Sequence, residues 1–268
     1  MSHDSTIGFI GVGVFAGYMV RALRRAGNIQ DIILAPRSRT VAEELAAGAG
    51  CLIGRDNQDV VDRADLVFLS VKPAQAKDAL TALTFRPDQI LLSAVAGLSI
   101  AQLRELAPSA REIVRIMPAA FVESGLGLFP ICPPHPEVEA LFRPAGEVVA
   151  FDDEERFGAA LLAGCLSGWT YRFCHELVQM FMAADISEEQ ARLLVLGTLR
   201  GTINYAMESR DRTLMDFSDL IATEGSYTKL GLDALFAQHP MTGWQAAINA
   251  VNERRREREA QSLSDAEA

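Results

Sequence analysis

Gly11 and Gly13, followed by Ala16, stand in the spacing G-x-G-x-x-A directly after the apolar run Thr6–Ile10. In that spacing the first glycine permits a tight turn. The second lets backbone approach a pyrophosphate, and the third small residue lets a helix pack on the preceding strand. The helix opened by Val14 and Phe15 adds unpaired amide donors for the phosphates. The next apolar run ends in LAPRSRT, with no Asp or Glu for the ribose hydroxyls. Arg37, Ser38 and Arg39 instead offer positive charge and a hydroxyl for a 2′-phosphate, so NADP(H) is the expected cofactor. Val71, Lys72 and Pro73 in ADLVFLSVKP, and Ala94 and Gly97 in SAVAGLS, stand at the carboxyl ends of further strand-like runs. Open α/β sheets bind ligands at that edge, which makes these residues candidates for the cofactor or substrate rim.

The elements that must position these residues follow from the apolar pattern. The runs TIGFI, DIILA, ADLVFLSV, QILLSAV and REIVRIM are apolar on both faces, as buried parallel strands are. Helical spacing falls between them at 15–26, 40–47, 74–83 and 100–106. LGLFPI and GEVVAF add two more strands after a less regular connection. Alternation of this kind predicts a doubly wound, Rossmann-type α/β sheet over residues 1–151. From Asp152 the texture changes to helix periodicity at 154–166, 171–184, 188–209, 214–222 and 242–259. Asp152 or Asp153 caps the first of these, and Ser187-Glu188-Glu189-Gln190 forms a capping box. Residues 152–268 are therefore expected to be all-helical, with the tail from Glu253 fraying into solvent.

Composition narrows the function classes. Among 268 residues, 35 are acidic and 25 basic, for a formal net charge of -10. A nucleic-acid binder needs a basic face, so that class is excluded, and an anionic membrane surface offers no attraction. With 49% hydrophobic residues the chain buries enough surface to fold. The longest charge-free apolar stretch, 157–171, is interrupted by glycines and too short to span a bilayer. Cys51, Cys132, Cys165 and Cys174 share no metal-ligand spacing and predict buried free thiols in a reducing cytoplasm, with no metal. The first residues, MSHDST, carry no basic n-region.

Together, IGFIGVGVFA, Asn57 in RDNQDV, ADLVFLSVKP, SAVAGLSI, VRIMP and the order of the helices resemble the pyrroline-5-carboxylate reductase family, over about residues 6–256. The resemblance implies NADPH-dependent reduction of a small cyclic imine, 1-pyrroline-5-carboxylate, to proline. It implies homodimers through the helical domain, often assembled further, with a site between the nucleotide domain and the helical domains. It adds Asn57 to the cofactor residues. The family's substrate loop, TSPGGTT, corresponds to Ala222-Thr223-Glu224-Gly225-Ser226-Tyr227-Thr228, and its SGSGPAY helix to the segment from Ser167 to Tyr171. The substrate candidates are then Thr223, Gly225, Ser226 and Tyr171. Thr228 is the hydrogen-bonding partner of the imine nitrogen, and Tyr227 a second candidate donor.

This chain departs from the family at the substrate end. MPN becomes Met117-Pro118-Ala119, Glu224 replaces a proline, Tyr227 replaces a threonine, and Trp169 stands in the SGSGPAY segment. Glu224 would repel a substrate carboxylate unless turned outward. For Thr228 the competing role is a helix cap; for Tyr227 and Tyr171 it is a buried aromatic. Met180, Phe181 and Met182 read as core, and His175 and His239 as helix surface. Two alternatives stand beside imine reduction: a hydroxyacid dehydrogenase, and a cofactor-binding protein without proline-pathway turnover. The first requires lysine in G-x-x-x-K-x-x-N, whereas residues 197–204 place Gly201 there. The only lysine after Lys77 is Lys229, which falls in the expected loop.

Overall fold

A computed structural model describes residues 5–209 and 211–267; of Ala120 and residues 258–267 only the backbone is described. The start of the chain and the end of its charged tail, read above from sequence, thus lie partly outside the described residues.

The chain divides into two compact units, Met1–Cys165 and Leu166–Ala268. In the first, strands β1 (Ile7–Ile10), β2 (Ile32–Leu34), β3 (Leu52–Ile53), β4 (Leu66–Leu69), β5 (Ile90–Ser93), β6 (Glu112–Ile116), β7 (Gly127–Cys132) and β8 (Gly146–Ala150) form one sheet. Its order is β3-β2-β1-β4-β5-β6-β7-β8. Pairing is parallel from β3 through β6, β7 runs antiparallel to β6, and β8 is parallel to β7. Every residue of β1, β2, β4 and β5 is buried, because helices cover both faces of such a sheet. The connecting helices are α1 (Val14–Arg25), α2 (Arg39–Ala49), α3 (Asn57–Arg63), α4 (Ala76–Leu80), α5 (Ile100–Leu106), α6 (Pro136–Phe142) and α7 (Glu154–Phe157). At the centre, Phe9 of β1 stacks on its register partner Phe68 of β4, ring centroids 4.9 Å apart.

An interior ion pair ties three elements of this unit together. Arg115 on β6 is only 12% exposed at its side chain; it bonds Glu154 of α7 at 2.6 Å and lies over the Phe157 ring. The same Glu154 oxygen accepts the amide of Ile100 at the start of α5. Asp153, rather than Asp152, is the cap of α7 and accepts the Glu155 amide.

The remaining helices are α8 (Ala160–Met182), α9 (Glu188–Glu208), α10 (Leu214–Ile221), α11 (Tyr227–Phe236) and α12 (Met241–Glu267), and the division between units falls within α8. Helix α9 starts with the expected capping box, Ser187 with Gln190. Sequence periodicity breaks the 154–184 region near Gly168, but the helix there is continuous and the break falls at Gly158 and Ala159 instead. Gly164 and Gly168 weaken α8 without ending it, since interior glycine costs about 1 kcal/mol against alanine. In the second unit Trp169 and Phe173 of α8 both meet the Trp244 ring of α12 edge-on. A small cluster of Val178, Ala191 and Val195 joins α8 to α9.

Within a single chain the second unit leaves much apolar surface uncovered. Met180 and Phe181, expected in a core, are exposed, as are Leu193, Leu214 and Leu220. Cys51, Cys132 and Cys174 are buried free thiols as expected, while Cys165 is half-buried. Among the described residues, no helix is long and apolar enough to cross a membrane, and no His, Cys, Asp and Glu cluster could hold a metal ion.

Candidate functional site

The strand order reverses between β1 and β4, and the glycine turn lies at the carboxyl end of that pair. Gly11 has φ +87°, and a Cβ on it would fall 2.6 Å from Val71 Cγ1 and 2.8 Å from the Ser70 carbonyl. Only glycine satisfies both limits. The Ser70 hydroxyl donates to the Gly11 carbonyl at 2.8 Å, and the Gly13 amide donates to the same oxygen at 3.0 Å. Gly13 then caps α1 in an extended conformation, and a Cβ there would meet nothing within 4 Å. Ala16 is fully buried against the sheet, whereas Val14 stands exposed beside the free amides of the first turn. The turn is thus packed shut at Gly11 and open at Gly13. This is the shape that a pyrophosphate needs, and the residues present fit a dinucleotide.

A second feature of the same edge is a groove of about 470 Å³ beyond the end of β2. Pro36, Ala79, Ala82 and Leu83 give it an apolar wall; Arg37, Arg55 and Asn57 give it donors. Arg37 is exposed here with its charge available, and Asn57 opens α3. Arg39 does not line the groove: it is committed to Glu43 one turn along α2, at 2.8 Å. Ser38 stands at the start of α2, and its side chain makes no capping bond. Arg55 carries no motif that sequence reasoning could single out. Its only signal is that it precedes Asn57 by two residues in the same turn.

Val71 is half-buried beside Gly11, and Lys72 and Pro73 are exposed at the start of a short 3-10 turn, Pro73–Gln75. Ala94 is half-buried after β5, and Gly97 is exposed with φ +80°. These candidates therefore share the carboxyl edge with the glycine turn.

In the helical unit, Thr223, Glu224 and Gly225 form the turn between α10 and α11, with Gly225 at φ +78°. Ser226, not Thr228, caps α11, its hydroxyl accepting the Lys229 amide at 3.1 Å. Thr228 is thus free of the capping role, and the residue is exposed. The amides of Tyr227 and Thr228 lie ahead of the helix's own hydrogen-bond ladder. Tyr227 is 93% exposed and Tyr171 on α8 is also exposed, so neither is the buried aromatic weighed from sequence. Lys229 is a helical residue, not a loop residue as expected; it bonds both oxygens of Asp233. That hydrogen bond, aided by the charges of Asp233 and Glu224, raises its pKa. His175 and His239 are surface residues.

Comparison with known proteins is consistent with these two units. Residues 6–97 match the family described as NADP oxidoreductase coenzyme F420-dependent, and residues 155–258 match pyrroline-5-carboxylate reductase dimerisation. The pyrroline-5-carboxylate reductase of Pasteurella multocida is 26% identical over 95% of this chain and 98% of its own. The solved structure of a pyrroline-5-carboxylate reductase from Coxiella burnetii is similar with a TM-score of 0.85, at 22% identity, covering 95% of this chain and 98% of that one. Another, Plasmodium falciparum pyrroline carboxylate reductase with NADP bound, has a TM-score of 0.81 at 22% identity, covering 97% and 100%.

Proposed function

Because the chain belongs to the pyrroline-5-carboxylate reductase family, we propose that it reduces 1-pyrroline-5-carboxylate to L-proline with NADPH. The observation that carries this reading in the structure is the Gly11–Gly13 turn, closed on Ser70 and Val71 and open where the pyrophosphate would lie. Gly11, Gly13 and the amides of Val14 and Phe15 hold the pyrophosphate. Arg37 and Ser38 face the 2′-phosphate, and Asn57, Val71, Lys72, Pro73, Ala94 and Gly97 border the remainder of the cofactor. NADPH, when bound, supplies the hydride that the C=N carbon receives.

The chain's own residues orient the substrate and supply hydrogen bonds. Thr223, Gly225 and Ser226 shape the substrate turn, and the first-turn amides of α11 suit the substrate carboxylate. The exposed Thr228 side chain hydrogen-bonds the imine nitrogen, which takes one proton from solvent as the carbon receives the hydride and so becomes the amine. Tyr227 and Tyr171 narrow the site around the ring. Glu224 is exposed in the turn and, turned outward, leaves the substrate carboxylate to the amides. The active form is a homodimer through the helical unit, which covers the apolar faces that a single chain exposes. Buried free thiols support a cytoplasmic location.

The reading is tested by product analysis. Enzyme, NADPH and 1-pyrroline-5-carboxylate should yield proline, and Thr228→Ala should lower turnover about tenfold or more while the unfolding temperature is unchanged. Absence of proline would reject the reaction, and unchanged kinetics in the variant would remove Thr228 from the site.

A further inference from the structure

We propose that Arg55 is a specificity-determining residue, the second guanidinium beside Arg37 in a subsite for a 2′-phosphorylated adenosine. The inference rests on the reading of this protein as an NADPH enzyme and names the part of the groove that selects NADPH over NADH. The groove's two walls match the two halves of that ligand. Pro36, Ala79, Ala82 and Leu83 offer an apolar surface for the base, and the two arginines offer planar donor forks for the phosphate.

Arg55 is held in place by a buried group. Its Nη2 and Nε donate to Asp59 Oδ1 at 2.8 and 3.1 Å, and its own backbone amide donates to Asp59 Oδ2 at 2.9 Å. Asp59 is 9% exposed at its side chain, whereas the Arg55 side chain is 85% exposed. The guanidinium is therefore anchored on one edge and open to solvent on the other. Arg63 also approaches Asp59, at 3.5 Å, so one carboxylate serves two arginines. A fixed, partly unspent guanidinium binds a phosphate at lower entropic cost than a free side chain.

The groove also holds carboxylates, and Asp62 acts on Arg55 besides Asp59, so it is the open edge of the fork rather than a net positive charge that suits a phosphate. Asp56 has its carboxylate turned to the Asp59 amide at 2.8 Å, where it caps α3. Asp78 belongs to α4, the element that contributes the apolar wall rather than the arginines. Arg39, the other arginine of the LAPRSRT segment, is paired with Glu43 and lines no part of the groove.

The test measures dissociation constants of the full-length protein for NADPH, NADH, 2′-AMP and 5′-AMP, for wild type, Arg55→Gln and Arg55→Lys. Arg55→Gln should weaken NADPH and 2′-AMP about tenfold or more and leave NADH and 5′-AMP within about twofold. Arg55→Lys keeps the charge but loses the fork, and should fall between. Because Arg55 also holds Asp59, a merely structural role would weaken all four ligands together, and that result overturns the proposal. So would unchanged NADPH affinity in Arg55→Gln. A wild-type protein that binds NADPH no better than NADH would instead overturn the cofactor reading on which the proposal rests.

Discussion

At the scale of single residues, the glycine turn separates packing from binding. Gly11→Ala forces a Cβ into Val71 and the Ser70 carbonyl at positive φ, and should cost about 1–3 kcal/mol of stability. Gly13→Ala places a methyl in open space and costs only the poorer N-cap of alanine, so stability should fall by no more than about 1 kcal/mol. The same methyl intrudes where the pyrophosphate is proposed to lie, so NADPH affinity should fall about tenfold, or about 1.4 kcal/mol. Denaturant unfolding and cofactor titration of the two variants check this; a Gly13→Ala protein with full NADPH affinity would contradict the assignment. Both glycines were legible in the sequence because their spacing encodes a backbone requirement. Arg55 was not, because its value comes from Asp59, Arg37 and the α4 wall, which only the fold assembles. Arg39 shows the converse: paired arginines in LAPRSRT look equivalent in sequence, yet the helix that begins there gives one of them to Glu43.

At the scale of elements, legibility followed how much each segment buries. The runs TIGFI, ADLVFLSV and QILLSAV announced β1, β4 and β5 because those strands are buried on both faces. Strand β3 escaped because Leu52 and Ile53 form a two-residue edge with both side chains exposed. Helix α11 escaped because its start lies inside Thr223–Thr228, where glycine and serine read as loop; Ser226 is in fact its cap. The short α6 and α3 were passed over for the same lack of length. The Arg115–Glu154 pair was invisible in sequence, since 39 residues separate its members. It joins β6, α7 and, through the Ile100 amide, α5. Removing one partner strands a charge in a largely buried setting. Arg115→Ala should therefore destabilise the protein by about 2–4 kcal/mol, below the full range for buried pairs because Glu154 retains solvent contact. An unfolding free energy within about 0.5 kcal/mol of wild type would show that the pair is not structural.

At the scale of the whole molecule, the change from strands to helices was plain in the sequence, and the helical unit's apolar faces were not, since Met180 and Phe181 read as core. Leu193 and Leu196 on α9 border an open groove of about 600 Å³ together with Arg192 and Arg200. Monomeric proteins rarely leave contiguous apolar surface of this kind, and this unit matches a dimerisation family. Sedimentation should accordingly give at least twice the mass of one chain, and Leu193→Glu should shift the protein toward monomer with loss of turnover. A fully active wild-type monomer would contradict the assembly proposed here.

Within the acidic balance, which excluded nucleic acid at the outset, Arg37, Arg55 and Lys72 are exposed cations at the sheet edge proposed for the anionic cofactor. The turn proposed for the substrate departs from the reductase pattern at Glu224 and Tyr227, and Ala119, after β6, departs from it as well. The most direct measurement is therefore steady-state oxidation of NADPH and of NADH with 1-pyrroline-5-carboxylate, run beside other cyclic imines with and without a carboxylate. Turnover of 1-pyrroline-5-carboxylate, with NADPH preferred over NADH, is the expected result. Tight NADPH binding without turnover of any imine would contradict it.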